Sequence, residues 1–359
     1  MTSVRVLIAG GGTGGHLYPG IALARELVRR DPDTRVSFVG TAAGIEARVI
    51  PREGFPLDLI RVAGLKGKST LSRLRGVFLL PLAAADAWRV ISRRRPSVVV
   101  GVGGFSSGPV LALAALRRYP TLLLEQNALP GLTNRLLAPV VRAAAVNFAE
   151  ALPYFPRTGF LAGNPVRAAF FAPAVEDTHD GKVRVLIFGG SQGAHAINLA
   201  MVAAAPELAA AGARLSITHQ TGERDLALVR DAYGRAGLDA RVEAFLYEMD
   251  REMTRADVVV ARSGATTLAE LAAAGRPAIL VPLPSATDDH QRVNAEAFAR
   301  AGGAVVVDER DLTGGRLAGE LLTLAGDPAH RAAMGRAARS LARPDAAERI
   351  AERVHALAG

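Results

Sequence analysis

The chain contains no cysteine. That excludes a disulfide framework, a thiol nucleophile and any cysteine-ligated zinc or iron–sulfur centre. Its 7 histidines are scattered without the spacing of a ligand set, so no metal site is expected. Aromatic residues make up only 5% of the chain, and no basic–aromatic interleaving stands out, which argues against a nucleic-acid surface. No apolar run approaches the roughly 18–20 residues that span a bilayer. The N-terminus runs directly into a strand-like segment, without the basic region, apolar region and cleavage site of an export signal. The expected location is therefore the cytoplasmic side. Lysine is scarce as well: Lys66, Lys68 and Lys182 are the only ones, and forty arginines carry the rest of a formal net charge of +9. Such a field favours phosphate-rich partners or an anionic membrane.

What the chain does contain is a repeat. Residues 4–16 read VRVLIAGGGTGGH and residues 183–195 read VRVLIFGGSQGAH, identical at nine of 13 positions without a gap. Each is an apolar strand running into a glycine turn and then a helix, the arrangement in which backbone N–H groups and a helix start receive an anion. With 359 residues the chain is long enough for two such domains. Strands are expected at 4–9, 36–39, 57–62, 97–102, 121–124 and 144–147, then at 183–188, 214–219, 241–246, 257–261, 278–282 and 304–307, with helices between them. That alternation predicts an α/β fold of two parallel-sheet, Rossmann-like domains. Proline and glycine punctuation puts the boundary near 165/166, with residues 166–343 as the second domain and a last helix at about 344–357 returning to the first. Pro173 to Asp180 reads as a surface loop.

The glycine turn alone would suit a dehydrogenase, but the strand Val36–Val39 ends in Gly40-Thr41 and lacks the acid that holds an adenosine ribose. A lysine-bearing P-loop is absent too. Two α/β domains without a metal motif point instead to transfer of a group from a nucleotide-type donor.

Six motifs occur in order: GGGTGGH at 10–16, GGFSSGP at 103–109, LEQNALPGLTN at 124–134, GNPVR at 163–167, GGSQGAH at 189–195 and RSGATTLAE at 262–270. Together they resemble, essentially end to end, the peptidoglycan glycosyltransferases of family 28. The resemblance implies a GT-B architecture, two Rossmann-like domains facing a cleft. It also implies an inverting, metal-independent transfer of GlcNAc from UDP-GlcNAc to the C4 hydroxyl of MurNAc in undecaprenyl-pyrophosphoryl-MurNAc-pentapeptide (lipid I), giving lipid II and UDP. UDP-GlcNAc is then a co-substrate, and no cofactor is expected. Other implied partners are an anionic membrane surface and proteins of cell-wall synthesis and division. The implied site is the cytoplasmic face of the inner membrane.

Carried over by motif, the resemblance assigns His16 as the general base, with Glu125 as its rival. An imidazole near its free pKa suits proton removal at neutral pH. Thr13, Gly14 and Gly15 approach the donor diphosphate, and Asn127 reaches the donor side from beyond a buried strand. In the second domain Ser191 and Arg167 meet the diphosphate, and the Leu246 backbone meets uracil. Ala265, Thr266 and Thr267 line a helix start, while Glu270, expected in a first helical turn, accepts from both ribose hydroxyls. His290 and Gln291 face the donor sugar. The family usually has a second glutamine where this chain has His290, which alters the hydrogen bonds available. Gly103, Gly104, Phe105, Ser106, Ser107 and Gly108 form a cradle for the acceptor pyrophosphate. Phe105 stands where tyrosine is common.

Residues 66–82 read KGKSTLSRLRGVFLLPL. Leu71, Leu74, Val77, Phe78, Leu79 and Leu80, with Trp88 further on, are expected to form a membrane contact, because basic residues flank an apolar run too short to span. Alternatives remain another nucleotide-sugar transferase of the same architecture, a UDP-GlcNAc 2-epimerase, and a sugar-nucleotide binding module without turnover.

Overall fold

The computed structural model describes all residues except 1–2, 63–69, 173–180, 191–192 and 213, together with the side chains of 70–80. The chain divides into two units, Met1–Val166 with Arg343–Gly359, and Arg167–Ala342. Each is a parallel sheet covered by helices.

In the first unit the strands are Arg5–Gly10 (β1), Arg35–Gly40 (β2), Leu57–Leu59 (β3), Val98–Gly103 (β4), Thr121–Glu125 (β5), Ala143–Val146 (β6) and Gly159–Leu161 (β7). Helices Gly14–Arg30 (α1), Glu46–Arg52 (α2), Thr70–Arg94 (α3), Ser107–Leu116 (α4) and Leu132–Leu137 (α5) alternate with them. The sheet order is β3-β2-β1-β4-β5-β6-β7, all parallel. Because strand side chains alternate in direction, one face gathers Val6, Ile8, Phe38, Val98, Val100 and Leu122. The other gathers Leu7, Ala9, Val39, Val99, Leu123 and Ala144. Apolar residues at consecutive positions are what a strand buried on both faces requires.

The second unit has strands Val183–Phe188 (β8), Leu215–Gln220 (β9), Ala240–Glu243 (β10), Val258–Ala261 (β11), Ala278–Leu280 (β12) and Ala304–Val306 (β13), in the order β10-β9-β8-β11-β12-β13. Its helices are His195–Ala210 (α6), Leu226–Ala236 (α7), Met249–Arg255 (α8), Ala265–Ala274 (α9), His290–Arg300 (α10), Gly314–Gly326 (α11) and Pro328–Ser340 (α12). The last helix, Ala346–Ala358 (α13), lies against α1 of the first unit. Its Ile350, Ala351 and Val354 are fully buried in the same core as Leu17 and Leu27, and Arg30 pairs with Glu348 and Glu352 across the contact.

Three sequence expectations shift. Residues 159–161 form an edge strand, although their glycine and the surrounding prolines read as a connection. The strands expected at 57–62 and 241–246 end early, at Leu59 and Glu243, where pairing with β2 and β9 stops. Glu270 lies in the second turn of α9 rather than its first, so the helix-end dipole does not account for it.

Candidate active site

In both sheets the strand order reverses between two neighbouring strands, β1 and β4 in one unit and β8 and β11 in the other. Ligands of open α/β sheets bind outside the carboxyl ends of strands at such a reversal. The glycine motifs occupy these places.

In the first unit the turn after β1 and the turn after β4 lie against each other, with Gly11 N–H donating to Gly103 O at 3.3 Å. Gly103 and Gly104 have φ of +93° and +81°. A Cβ on Gly104 would stand 2.3 Å from Gly11 O, and one on Gly103 would stand 2.6 Å from His16 Cδ2. Only glycine permits both the backbone conformation and the contact. His16 therefore lies in the first turn of α1, half-buried with its ring packed on Gly103, and its Nδ1 is 3.3 Å from Thr13 Oγ1. Thr13, at the start of α1, is exposed, as is Gly15, while Gly14 is half-buried. Phe105 is exposed at the neighbouring turn, whereas Ser106, Ser107 and Gly108 are buried. The two serines therefore offer that surface backbone more than hydroxyls.

Glu125 ends β5 and is 2% exposed. One carboxylate oxygen accepts from Asn127 N at 2.9 Å and Asn127 Nδ2 at 3.2 Å, and the other from Asn134 Nδ2 at 2.8 Å and Gly131 N at 3.2 Å. Burial pushes its pKa up, and these donors pull against that. A carboxylate so enclosed organises the Asn127–Asn134 segment.

In the second unit the turn after β8 is tied to the ends of its neighbours. Gln220 donates from Nε2 to Gly190 O at 2.7 Å, and its Oε1 accepts from Leu246 N at 2.9 Å. The Leu246 N–H is thereby committed. Beneath this turn Asn198 donates to Thr221 O and Asp225, and accepts through Oδ1 from His219 Nε2 at 3.0 Å. Burial holds His219 neutral, with its pKa pushed down to about 3. His195, the repeat's counterpart of His16, is bound through Nδ1 to Asp225 at 2.9 Å. The matching positions thus have different surroundings.

Arg167, Asp250 and Glu270 come together on the second unit. Arg167 lies 3.4 Å from Asp250 Oδ1 and stacks over Phe170, its guanidinium carbon 5.0 Å from the ring centroid. Desolvation of the Glu270 carboxyl pushes its pKa up to about 7; Arg167 pulls it down and Asp250 pushes it further up. Upstream on α9, Ala265 is buried, and Thr266 and Thr267 are half-buried.

His290 Nδ1 is 2.6 Å from Thr287 O. A carbonyl only accepts, so Nδ1 carries a proton and is committed to that bond, leaving Nε2 as the ring nitrogen for another partner. Gln291 Oε1 accepts from Leu283 N at 3.1 Å, and its backbone O accepts from Ser263 Oγ at 2.7 Å. These bonds fix the start of α10 beside the β11–α9 turn. Asp289 pairs with Arg292 at 2.5 Å instead of capping that helix.

Ser191 lies outside the described residues, as do the side chains of Leu71, Leu74, Val77, Phe78, Leu79 and Leu80. Further along α3, Leu82 is 41% and Trp88 52% exposed, with the Arg117 guanidinium 4.2 Å from the Trp88 ring centroid. Among the described residues no three His, Asp or Glu side chains group as a metal site, and no helix is long and apolar enough to cross a membrane. Glu46, whose Oε2 accepts from Gly12 N at 2.7 Å, Asn134 and Gln220 are among the polar groups at these turns that the sequence did not single out. Asn134 closes the LEQNALPGLTN motif and was within reach of it; the other two act across long stretches of chain.

Comparison with known proteins adds to this geometry. The pattern described as glycosyltransferase family 28 N-terminal domain matches residues 6–146, and that of the family 28 C-terminal domain matches residues 184–350. A protein of Anaeromyxobacter dehalogenans (strain 2CP-C) is 49% identical over 352 residues, covering 97% of this chain and 92% of that one. A protein of Pelobacter propionicus is 45% identical over 374 residues, covering 98% and 99%. Both are named UDP-N-acetylglucosamine--N-acetylmuramyl-(pentapeptide) pyrophosphoryl-undecaprenol N-acetylglucosamine transferase. The crystal structure of Acinetobacter baumannii MurG matches with a TM-score of 0.80 at 28% identity, covering 98% of this chain and 99% of that one. A UDP-GlcNAc 2-epimerase from Neisseria meningitidis, bound to UDP-GlcNAc, matches with a TM-score of 0.71 at 13% identity, over 98% and 100% of the chains, a likeness of fold alone.

Proposed function

This chain belongs to glycosyltransferase family 28, and from that premise we propose that it transfers N-acetylglucosamine from UDP-GlcNAc to the C4 hydroxyl of MurNAc in undecaprenyl-pyrophosphoryl-MurNAc-pentapeptide, releasing UDP. The observation that carries this reading is near-full-length identity of 49% to transferases of that name. The geometry supports it through two glycine turns, each at its own sheet's reversal point.

The donor belongs to the second unit. Glu270 accepts from both ribose hydroxyls, the Leu246 carbonyl meets the uracil, and Arg167 with the α9 N-terminus offsets diphosphate charge. Ser191, Gln291 and Nε2 of His290 complete the donor contacts. In the first unit Thr13, Gly14, Gly15 and Asn127 are the residues assigned to the donor by their motifs. There residues 103–108 hold the acceptor pyrophosphate, and His16 takes the proton from the attacking hydroxyl. The new O4–C1 bond forms as the C1–oxygen bond to UDP breaks, inverting the anomeric carbon, and the electron pair leaves on the diphosphate. Dipoles and Arg167 stabilise that charge without a metal. The base is assigned to His16 over its rival Glu125 because the Glu125 carboxylate already accepts from Asn127, Asn134 and Gly131. The acceptor's polyprenyl tail requires work at a membrane surface. Exposed Leu82 and Trp88 together with the net positive charge suit the cytoplasmic face of the inner membrane. The sequence pattern of residues 66–82 assigns the same role to Leu71, Leu74, Val77, Phe78, Leu79 and Leu80.

The test is product identity. Incubation with UDP-GlcNAc and a short-chain analogue of the lipid-linked acceptor should yield, by mass spectrometry, the acceptor with one added N-acetylhexosamine. UDP-linked N-acetylmannosamine as the product, with the acceptor unmodified, would make the protein an epimerase. Binding of UDP-GlcNAc with neither product would make it a binding module.

A further inference from the structure

The chain has no acid at the end of β2, where a dinucleotide-binding sheet places one, yet a carboxylate occupies that place. It comes from Glu46, the first residue of α2, which is 1% exposed. Its Oε1 accepts from Thr41 N at 2.8 Å and from Thr41 Oγ1 at 2.9 Å. Its Oε2 accepts from Gly12 N at 2.7 Å. Two turns lack side chains where they surround it: a Cβ on Gly11, after β1, or on Gly40 or Gly44, between β2 and α2, would stand 2.4, 2.4 or 2.0 Å from its atoms. Every polar group bonded to this carboxylate is a donor, and such a group is buried at a large cost unless its acceptors are filled. The arrangement is specific to a carboxylate of this length.

Glu46 points inward at its own glycine turn, so it is not a ribose ligand. Gly12, which it holds, directly precedes Thr13, the residue from which α1 starts, and α1 carries His16 in its first turn. The second unit ties its turn in the opposite sense, with Gln220 donating to a turn carbonyl rather than accepting from a turn amide. We propose that Glu46 is a positioning residue for the transfer reaction. Its carboxylate sets the 10–13 turn and, through it, the place of the His16 imidazole against the acceptor hydroxyl. This rests on the transferase reading above.

The test uses the full chain carrying Glu46→Gln, which keeps shape and volume but turns one acceptor into a donor facing donors. A displacement of about 1 Å at a reacting group costs on the order of 100-fold, so kcat should fall by about that factor. In a His16→Ala background the same substitution should cost nothing more, since the two act as one unit. Hydrogen exchange read over peptides spanning 10–16 should accelerate, with the second unit's peptides unchanged. Wild-type kcat in Glu46→Gln would overturn the proposal, as would an undiminished further loss on top of His16→Ala. Unchanged exchange over 10–16 would overturn it whether or not the protein transfers sugar. Failure of wild-type protein to make the glycosylated acceptor would instead strike the transferase reading, and the exchange result would then decide the positioning claim alone.

Discussion

A carboxyl whose pKa lies near 7 changes its binding properties within the working range of most enzymes, and Glu270 is pushed up to about 7 by desolvation. A pair of ribose hydroxyls donates best to the ionised form. With Glu270 in the proposed ribose contact, donor binding below pH 7 expels a proton, so affinity should rise with pH by up to about tenfold per unit until the carboxyl is ionised, then level off. The KM for UDP-GlcNAc measured from pH 6 to 8.5 should follow that curve. Glu270→Gln should flatten it and raise KM by on the order of 100-fold, the worth of two hydrogen bonds to a charged group. A pH profile that survives Glu270→Gln would assign the titration elsewhere. Arg167 pulls the same pKa down, so Arg167→Ala should move the midpoint of the profile upward. It should also lower kcat by about 100-fold through the unassisted leaving diphosphate.

At the scale of elements, α13 fills one face of the first unit. Ile350 is fully buried there, and Ile350→Ala should cost about 2–5 kcal/mol of unfolding free energy, read as a lower urea midpoint for that unit. A loss under about 0.5 kcal/mol, the range of exposed sites, would mean that α13 contributes little to this core. Beneath the second glycine turn, His219 is neutral in the folded protein, pushed down to about 3, against about 6.5 when unfolded. Its contribution is complete above pH 6.5 and is lost as pH falls from there toward 3, because the unfolded chain binds the proton that the folded one refuses. His219→Gln, which cannot titrate, should flatten the Tm-versus-pH slope between pH 6.5 and 4 even though it lowers Tm at pH 7. An unaltered slope would locate the acid sensitivity in other groups.

These elements were legible in the sequence to unequal degrees. Central strands such as Val98–Gly103 and Val258–Ala261 are runs of small and β-branched apolar residues between turns, which only a doubly buried strand explains. Gly159–Leu161 was hidden because its pairing with β6, rather than its own composition, makes it a strand. The glycine turns were plain from their repeat. Glu46 was not, since it reaches Gly12 across 34 residues and belongs to no periodic pattern. Gln220 likewise meets Leu246 from 26 residues away. Side chains that act on a distant backbone leave no local signature.

For the whole molecule, the net charge of +9 and the exposed Leu82 and Trp88 predict adsorption to anionic vesicles that weakens with salt. Trp88→Ser should reduce the salt-resistant fraction in co-sedimentation and leave UDP binding alone. Equal binding to neutral and anionic vesicles would remove charge from the account. Sugar transfer by a donor-binding unit and a unit carrying the base is measured by UDP release from the purified protein, with and without a short-chain lipid-linked MurNAc-pentapeptide acceptor. Release should depend on acceptor, be lost with His16→Ala while UDP still binds, and equal the acceptor glycosylated mole for mole. UDP release that is indifferent to a verified acceptor, or absent in its presence, would contradict such transfer.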